Sequence, residues 1–215
     1  MRIVIVEDQL MFRELTRKVC ASEWDCDVVG DTESGKVAID LILEKKPDVV
    51  ILDLSLPDMD GFNVATRVLR ILPVVRFLVL SSHCDEYTVF RAEKLGLPGF
   101  IDKSSDPVAA LRVALSAVHQ GRTYFSPAYQ AVKRARQNNP NSFTKILTDR
   151  QVAILRLIGR GLDNQEIGRR FQISRLTAEC HRRNIMRKLR VHGTPQLIAF
   201  AAEHGIARMP LSEGK

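Results

Sequence analysis

Five times in the first 120 residues a short apolar run gives way to an amphipathic stretch, and few folds accommodate that alternation. The runs are 2–6, 26–30, 48–52, 75–82 and 99–103. Between them the spacing predicts helices over 9–22, 34–46, 61–72 and 87–95, and a last one from Asp106-Pro107 to about 119. Leu10, Phe12, Leu15 and Val19 form the expected apolar face of the first helix, and Val37, Ala38, Leu41 and Ile42 that of the second. Val49–Leu52 is apolar at every position, as in a strand covered on both faces. Strand–helix alternation of this length implies a parallel sheet with helices on both sides, in a flavodoxin-like strand order.

In such a sheet all carboxyl ends lie on one edge, where ligands bind. Glu7 and Asp8 follow the first strand, Asp53 the third, Ser81 ends the fourth and Lys103 the fifth. Three carboxylates, a hydroxyl and an ammonium therefore converge. Carboxylates packed together repel, so they raise their pKa values or take up a cation. Oxygen ligands alone suit a hard ion such as Mg²⁺. Asp53 can then serve as nucleophile and form an acyl phosphate, with Lys103 pairing the phosphoryl oxygens and Ser81 donating to one.

Charge divides the chain. Residues 1–120 hold 14 Lys/Arg against 19 Asp/Glu, and residues 121–215 hold 18 against 6. An acidic half joined to a strongly basic one points to two domains, the second meeting a polyanion. No run approaches the ~20 apolar residues of a membrane span, and the N-terminus has neither signal- nor transit-peptide character. The expected location is the cytoplasm. The four cysteines have no CxxC or zinc spacing and read as reduced, mostly buried thiols. QNNPNS at 137–142 has linker composition, preceded by a possible short helix from Ser126-Pro127.

From Leu147 the pattern is helical throughout. Thr148 is the expected cap of one helix, 164–171 forms a second, Ser174 caps a third over 175–190, and 195–204 is the fourth. The second and third read as a helix–turn–helix. Ala178, His181, Ile185 and Leu189 form one stripe of the third helix, facing the core, with His181 a hydrogen-bonded core histidine. Leu176, Glu179, Cys180, Arg183, Arg187 and Arg190 lie opposite. Three arginines on one face suit the major groove, where Arg reads guanine and neutralises phosphate, and Arg169, Arg170, Arg182 and Lys188 add to the basic surface.

The first half resembles the receiver domain of two-component response regulators. The resemblance rests on Glu7-Asp8, Asp53-x-x-x-Pro57-x-x-x-Gly61, Ser81, Lys103, and Phe100 where the family carries a rotating aromatic. It implies phosphorylation of Asp53 by a sensor histidine kinase, Mg²⁺ (or Mn²⁺) on Asp8, Asp53 and the Ser55 carbonyl with Glu7 assisting, and movement of Ser81 and Phe100 on activation. The second half resembles LuxR-type DNA-binding domains through Leu147-Thr148-x-Arg150, Gly161-x-x-Asn164-x-x-Ile167, Ser174-x-x-Thr177 and His181-x-x-Asn184-Ile185-x-x-Lys188-Leu189. The pairing is that of the NarL/FixJ class. It implies duplex DNA as partner, base reading by Glu179, Cys180 and Arg183, phosphate contacts from Thr177 and Lys188, and a homodimer through 195–202 with Leu197, Ile198 and Ala201 as its apolar face. Gln151, Ala178 and Glu179 depart from the family, which usually has Glu, Val and often Lys there.

The expected organisation is a (βα)5 receiver with a five-stranded parallel sheet over 1–119, a linker over 120–145 and a small all-α helix-turn-helix domain over 146–208. The expected protein is a transcription regulator and not an enzyme. A haloacid-dehalogenase-type phosphatase is set aside because it needs a second Asp where Ser55 stands. A phosphorylation-independent regulator, and a helical domain that binds protein, remain as alternatives.

Overall fold

Each apolar run of the first half forms a strand. The computed structural model describes residues 1–22, 26–104 and 107–207. They fall into two units, one mainly residues 1–132 and the other mainly 133–207.

The first unit alternates β1 (Arg2–Val6), α1 (Leu10–Ser22), β2 (Asp27–Thr32), α2 (Gly35–Lys45), β3 (Val49–Leu52), α3 (Gly61–Ile71), β4 (Arg76–Ser81), α4 (Glu86–Lys94), β5 (Gly99–Asp102) and α5 (Pro107–His119). The strands are parallel, in the order β2-β1-β3-β4-β5-β6. Up to β5 this is the flavodoxin-like order. β6 (Tyr124–Phe125) is a sixth strand that the pattern did not announce, since two residues are too few for a period. It lies in the segment expected as linker, which also holds α6 (Pro127–Asn138), a 12-residue helix rather than a short one. Asp106, the expected cap of α5, lies outside the described residues.

The period of two along a strand sorts the core onto two faces. Ile3, Ile5, Val49, Ile51, Leu78, Leu80 and Ile101 share a cluster with Val19 and Cys20 of α1 and with Leu111, Ala114, Leu115 and Val118 of α5. The alternate residues Val4, Val6, Val50, Leu52, Phe77 and Val79 are equally buried, as are Ala38 and Ile42 of α2 and Val64, Ala65 and Val68 of α3. Two expected core residues are exposed, Leu10 at 63% and Val37 at 54%, and Phe12, Leu15 and Leu41 are half-buried. Leu10 lies about 125° around α1 from the buried face of Thr16, Val19 and Cys20. The cysteines are free thiols, and only Cys20 among them is buried.

The second unit contains α7 (Phe143–Ile146), α8 (Asp149–Gly159), α9 (Asn164–Phe171), α10 (Arg175–Leu189) and α11 (Thr194–Glu203). Thr148 caps α8 in a reciprocal capping box with Gln151, Asp163 does the same for α9 with Glu166, and Ser174 caps α10. Ile154, Leu155, Ile158, Ile167, Ala178, Ile185 and Ile206 build the core. Leu197 and Ala201 of α11 are fully buried in that same core, and Ile198 packs against it. The apolar face expected to meet a second copy is therefore used largely inside the unit. No helix among the described residues is long and apolar enough to cross a membrane.

Candidate functional site

The strand ends deliver the acidic cluster. Backbone bonds prolong the ladders by one residue: Glu7 N–H donates to the Thr32 carbonyl, Asp53 to Val6 and Lys103 to Ser81, at 2.8–3.0 Å. The next side chain on each strand therefore emerges at one edge. Glu7, Asp8 and Asp53 each place a carboxylate oxygen within 4.8 Å of the others. Gly61 keeps the third strand's exit tight: a Cβ there would sit 2.2 Å from the Asp53 carbonyl oxygen. The first turn of α3 packs directly on the Asp53–Leu54 backbone, which only glycine permits.

Lys103 lies between two of the acids. Its Nζ donates to Glu7 Oε1 at 2.8 Å and to Asp53 Oδ2 at 2.9 Å, with both acids and the lysine almost wholly buried. The ammonium also lies 4.7 Å from the centre of the Phe12 ring. Ser55 N–H donates to Asp53 Oδ1 at 3.2 Å. Burial, and then the charge of Asp53, push the Glu7 carboxyl up to about 7, although its bonds to Lys103 pull the other way.

The donor set fits a hard cation. One ammonium faces three carboxylates, and Asp8 Oδ1 is buried without a hydrogen-bond partner. Glu7 Oε2 touches Lys103 Nζ at 2.7 Å but lies outside hydrogen-bond geometry. Buried carboxylate oxygens left in this way are costly unless something cationic reaches them.

The Ser81 carbonyl accepts the Lys103 N–H, and Phe100 stands three residues before that lysine on β5. Ser81 is fully buried and its hydroxyl accepts the His83 N–H at 3.2 Å. The Phe100 ring is fully buried 5.1 Å from that of Tyr129 on α6, which stacks on Phe125 at 4.6 Å. The Tyr129 hydroxyl has no hydrogen-bond partner among the described residues, and burial pushes its pKa up to about 12.

Sequence reasoning missed Arg13 and Asp58. Arg13 Nη1 donates to the Glu7 carbonyl at 2.6 Å and is 3.4 Å from that of Asp8. Asp58 accepts from Gly35 N–H at 2.8 Å and from Lys36 N–H and the Ser34 hydroxyl at 2.9 Å, so it closes the amino end of α2. Burial alone would raise the Asp58 carboxyl, but these three donors hold it below its ordinary value. An arginine one turn into the helix after an acidic pair was the available signal for Arg13. Asp58 gave none, because its partners are more than 20 residues away.

The basic helix presents a mixed face. Thr177, Cys180, Arg183 and Arg187 are exposed and Glu179 is half-buried. The apolar Leu176 is 75% exposed among them. Asn184 ties two of them together, accepting from Arg187 at 3.2 Å and approaching Cys180 Sγ at 3.6 Å. Lys188 Nζ donates to the Ile146 carbonyl at 2.8 Å and to Gln151 Oε1 at 2.9 Å. Gln151 thereby caps α8 and holds the lysine with one oxygen. Gly168 allows the turn between α9 and α10, since a Cβ there would meet the Ile173 carbonyl at 2.8 Å.

Two expectations for α10 are corrected. Arg182 does not join the basic surface: it is 9% exposed and donates to Asn164 Oδ1 at 2.8 Å, the Leu162 carbonyl at 2.9 Å and Thr194 Oγ1 at 3.3 Å. It falls next to the Ala178–Ile185 stripe on the wheel, and its donors satisfy loop and helix-end acceptors on both sides. His181 is half-buried, and its ring makes no hydrogen bond to a described residue.

Known proteins share this pattern. A model of the response regulator receiver domain matches residues 3–115, and one of the luxR family of bacterial regulatory proteins matches residues 145–201. The response regulator protein VraR of Staphylococcus epidermidis is 31% identical over 205 residues, 95% of this chain and 98% of that protein. VraR of Staphylococcus aureus gives the same values. Among solved structures, RcsB from Salmonella enterica serovar Typhimurium, bound to promoter P1flhDC with phosphomimetic BeF3−, aligns over 93% of this chain and 97% of its own. Its TM-score is 0.67 at 22% identity, a likeness of fold. A LuxR-family two-component response regulator from Aurantimonas is 30% identical with a TM-score of 0.60, over 64% of this chain and 98% of its own.

Proposed function

The chain belongs to the two-component response regulators that join a receiver domain to a luxR-family domain, and from that premise we propose that Asp53 is its phosphoacceptor and duplex DNA its output ligand. The observation that carries the reading is the buried Glu7–Lys103–Asp53 bridge beside the unpartnered Asp8 oxygen. An Asp53 carboxylate oxygen bonds to phosphorus as the P–N bond of a kinase phosphohistidine breaks and the imidazole leaves. Mg²⁺, on Asp8, Asp53 and the Ser55 carbonyl with Glu7 beside it, would offset the charge of the incoming phosphoryl group. Lys103 gives up Asp53 Oδ2 and pairs with a phosphoryl oxygen. The Ser81 hydroxyl, which accepts the His83 N–H, turns its own O–H to donate to another phosphoryl oxygen, and Phe100 follows the space that Ser81 leaves. Those are differential contacts of the kind that bias a two-state element.

The output face is that of α10. Arg183 and Arg187 are placed to meet guanine or phosphate, Glu179 to accept from cytosine N4, Cys180 to touch base edges and Thr177 to meet phosphate. Lys188, whose side-chain partner Gln151 is neutral, is placed to meet phosphate. Phosphorylation brings two copies together on a two-fold symmetric site.

Light scattering of wild type and Asp53→Asn, with and without Mg²⁺ and acetyl phosphate, tests the reading. The expected result is a shift to dimer and tighter operator binding in wild type alone. An equal response in Asp53→Asn, or strong DNA binding in the unphosphorylated protein that phosphodonor does not alter, would overturn it.

A further inference from the structure

Arg13 lies one turn into α1, and helical side chains lean back toward the amino end. Its guanidinium therefore reaches the β1–α1 turn, where it takes the Glu7 carbonyl at 2.6 Å and approaches the Asp8 carbonyl at 3.4 Å. The rest of the fork faces the end of β2, with Nε 3.4 Å from Asp31 and Nη2 3.7 Å from Glu33. Arg17 holds the other Asp31 oxygen. The Arg13 side chain is only 14% exposed. One planar cation thus binds the peptide carbonyls of the two acids whose carboxylates carry the unpartnered oxygens. No carboxylate of the cluster is its partner.

We infer that Arg13 is a positioning residue for the cation site: by fixing the Glu7–Asp8 peptide carbonyls on one side of the turn, it directs both carboxylates to the other. The inference rests on the reading of the cluster as a metal-assisted phosphoacceptor site. It makes a counter-intuitive demand. A guanidinium near an acidic site repels divalent cations, so removing it should tighten binding if charge alone matters. Asp31 and Glu33, left with less positive charge beside them, would add to that effect. Removing a positioning residue does the opposite, because the carboxylates lose their common direction. Lysine keeps the charge but has no fork with which to hold two carbonyls and Asp31 together.

The test measures the Mn²⁺ dissociation constant by electron paramagnetic resonance on the full chain, for wild type, Arg13→Met and Arg13→Lys, with melting temperatures alongside. The expected result is binding about tenfold weaker or more in both variants, the size typical of groups that orient metal ligands, with melting near that of wild type. Equal or tighter binding in Arg13→Met, or wild-type binding in Arg13→Lys, would overturn the inference alone. Wild type that takes up no Mn²⁺ would overturn both the inference and the functional reading beneath it. Should Arg13→Met not fold, Arg13→Lys, which keeps the charge and loses the fork, decides alone by the same criterion.

Discussion

Replacing Arg182 with methionine separates a structural arginine from a DNA-reading one. The side chain is buried and makes three hydrogen bonds, to Asn164, Leu162 and Thr194. Burial lowers its pKa from the ordinary arginine value, while the nearby Asp163 carboxylate pulls it back up. Hydrogen bonds from a charged donor contribute about 1.5–3 kcal/mol each before the desolvation of the cation is subtracted. Methionine fills most of the volume but leaves three acceptors without their donor. A net loss of about 3 kcal/mol follows, as for other broken buried polar networks. For a unit of this size each kcal/mol moves the midpoint by roughly 4–8 °C, so the second unit's transition should fall by about 12–24 °C. Calorimetry on the full chain reads this directly. Arg182→Lys should recover little, since an ammonium cannot satisfy three divergent acceptors. DNA binding, measured well below the lowered midpoint, should keep the wild-type slope of log K against log salt. A slope smaller by ~0.9 with no change in melting would mean that Arg182 neutralises a phosphate, and the reasoning would fail.

The remaining predictions concern single side chains. Glu7 titrates in the folded protein at about 7, so its contribution to stability is fully present below about pH 4.5 and is lost as pH rises through 7, a change of about 3 kcal/mol at most. Urea midpoints in Mg²⁺-free buffer should drop over that window in wild type and much less in Glu7→Gln; parallel curves would refute the assignment. Gln151→Glu should stabilise the second unit by about 0.5 kcal/mol through a charged cap and reduce the salt slope of DNA binding by up to ~0.9 by neutralising Lys188. An unchanged slope would show that Lys188 does not meet phosphate. Asp58→Ala should cost about 1 kcal/mol, the size of a helix cap. Because the native pKa of Asp58 is depressed, its contribution is present above pH 3.8 and disappears as pH falls through the folded value, so the variant and wild type should converge in strong acid.

Much of this architecture is legible in the chain because its signals are local. Val49–Leu52 is apolar at four consecutive positions, and Thr148 and Ser174 stand one residue before a helix, so strands and caps declare themselves. The acidic cluster is legible for a different reason: parallel pairing puts every strand end on one edge, whatever lies between. What could not be read depends on distance or on shortness. Tyr124–Phe125 is two residues long and is a strand only because β5 is there to pair with it. Arg182 falls on the buried side of the wheel and Arg183 does not, but the acceptors that let an arginine be buried there, Asn164, Thr194 and Leu162, stand 12 to 20 residues away in sequence. Leu197 and Ala201 make an apolar face that suits a second copy and an internal core equally, and the core took it.

The short sixth strand has a consequence for how the chain behaves before it is complete. Tyr124 N–H donates to the Pro98 carbonyl at 2.9 Å and Ser126 N–H to that of Phe100 at 3.0 Å, so β5 is not an open margin. During synthesis the first 119 residues emerge with that margin bare, and with the Phe100 ring lacking its cover from Phe125 and Tyr129. A naked parallel edge beside an apolar ring is a template for self-association. The nascent chain is therefore prone to clump for the time needed to add a few more residues, and a fragment cut at 119 would stay in that state. One cut at 132 would leave it.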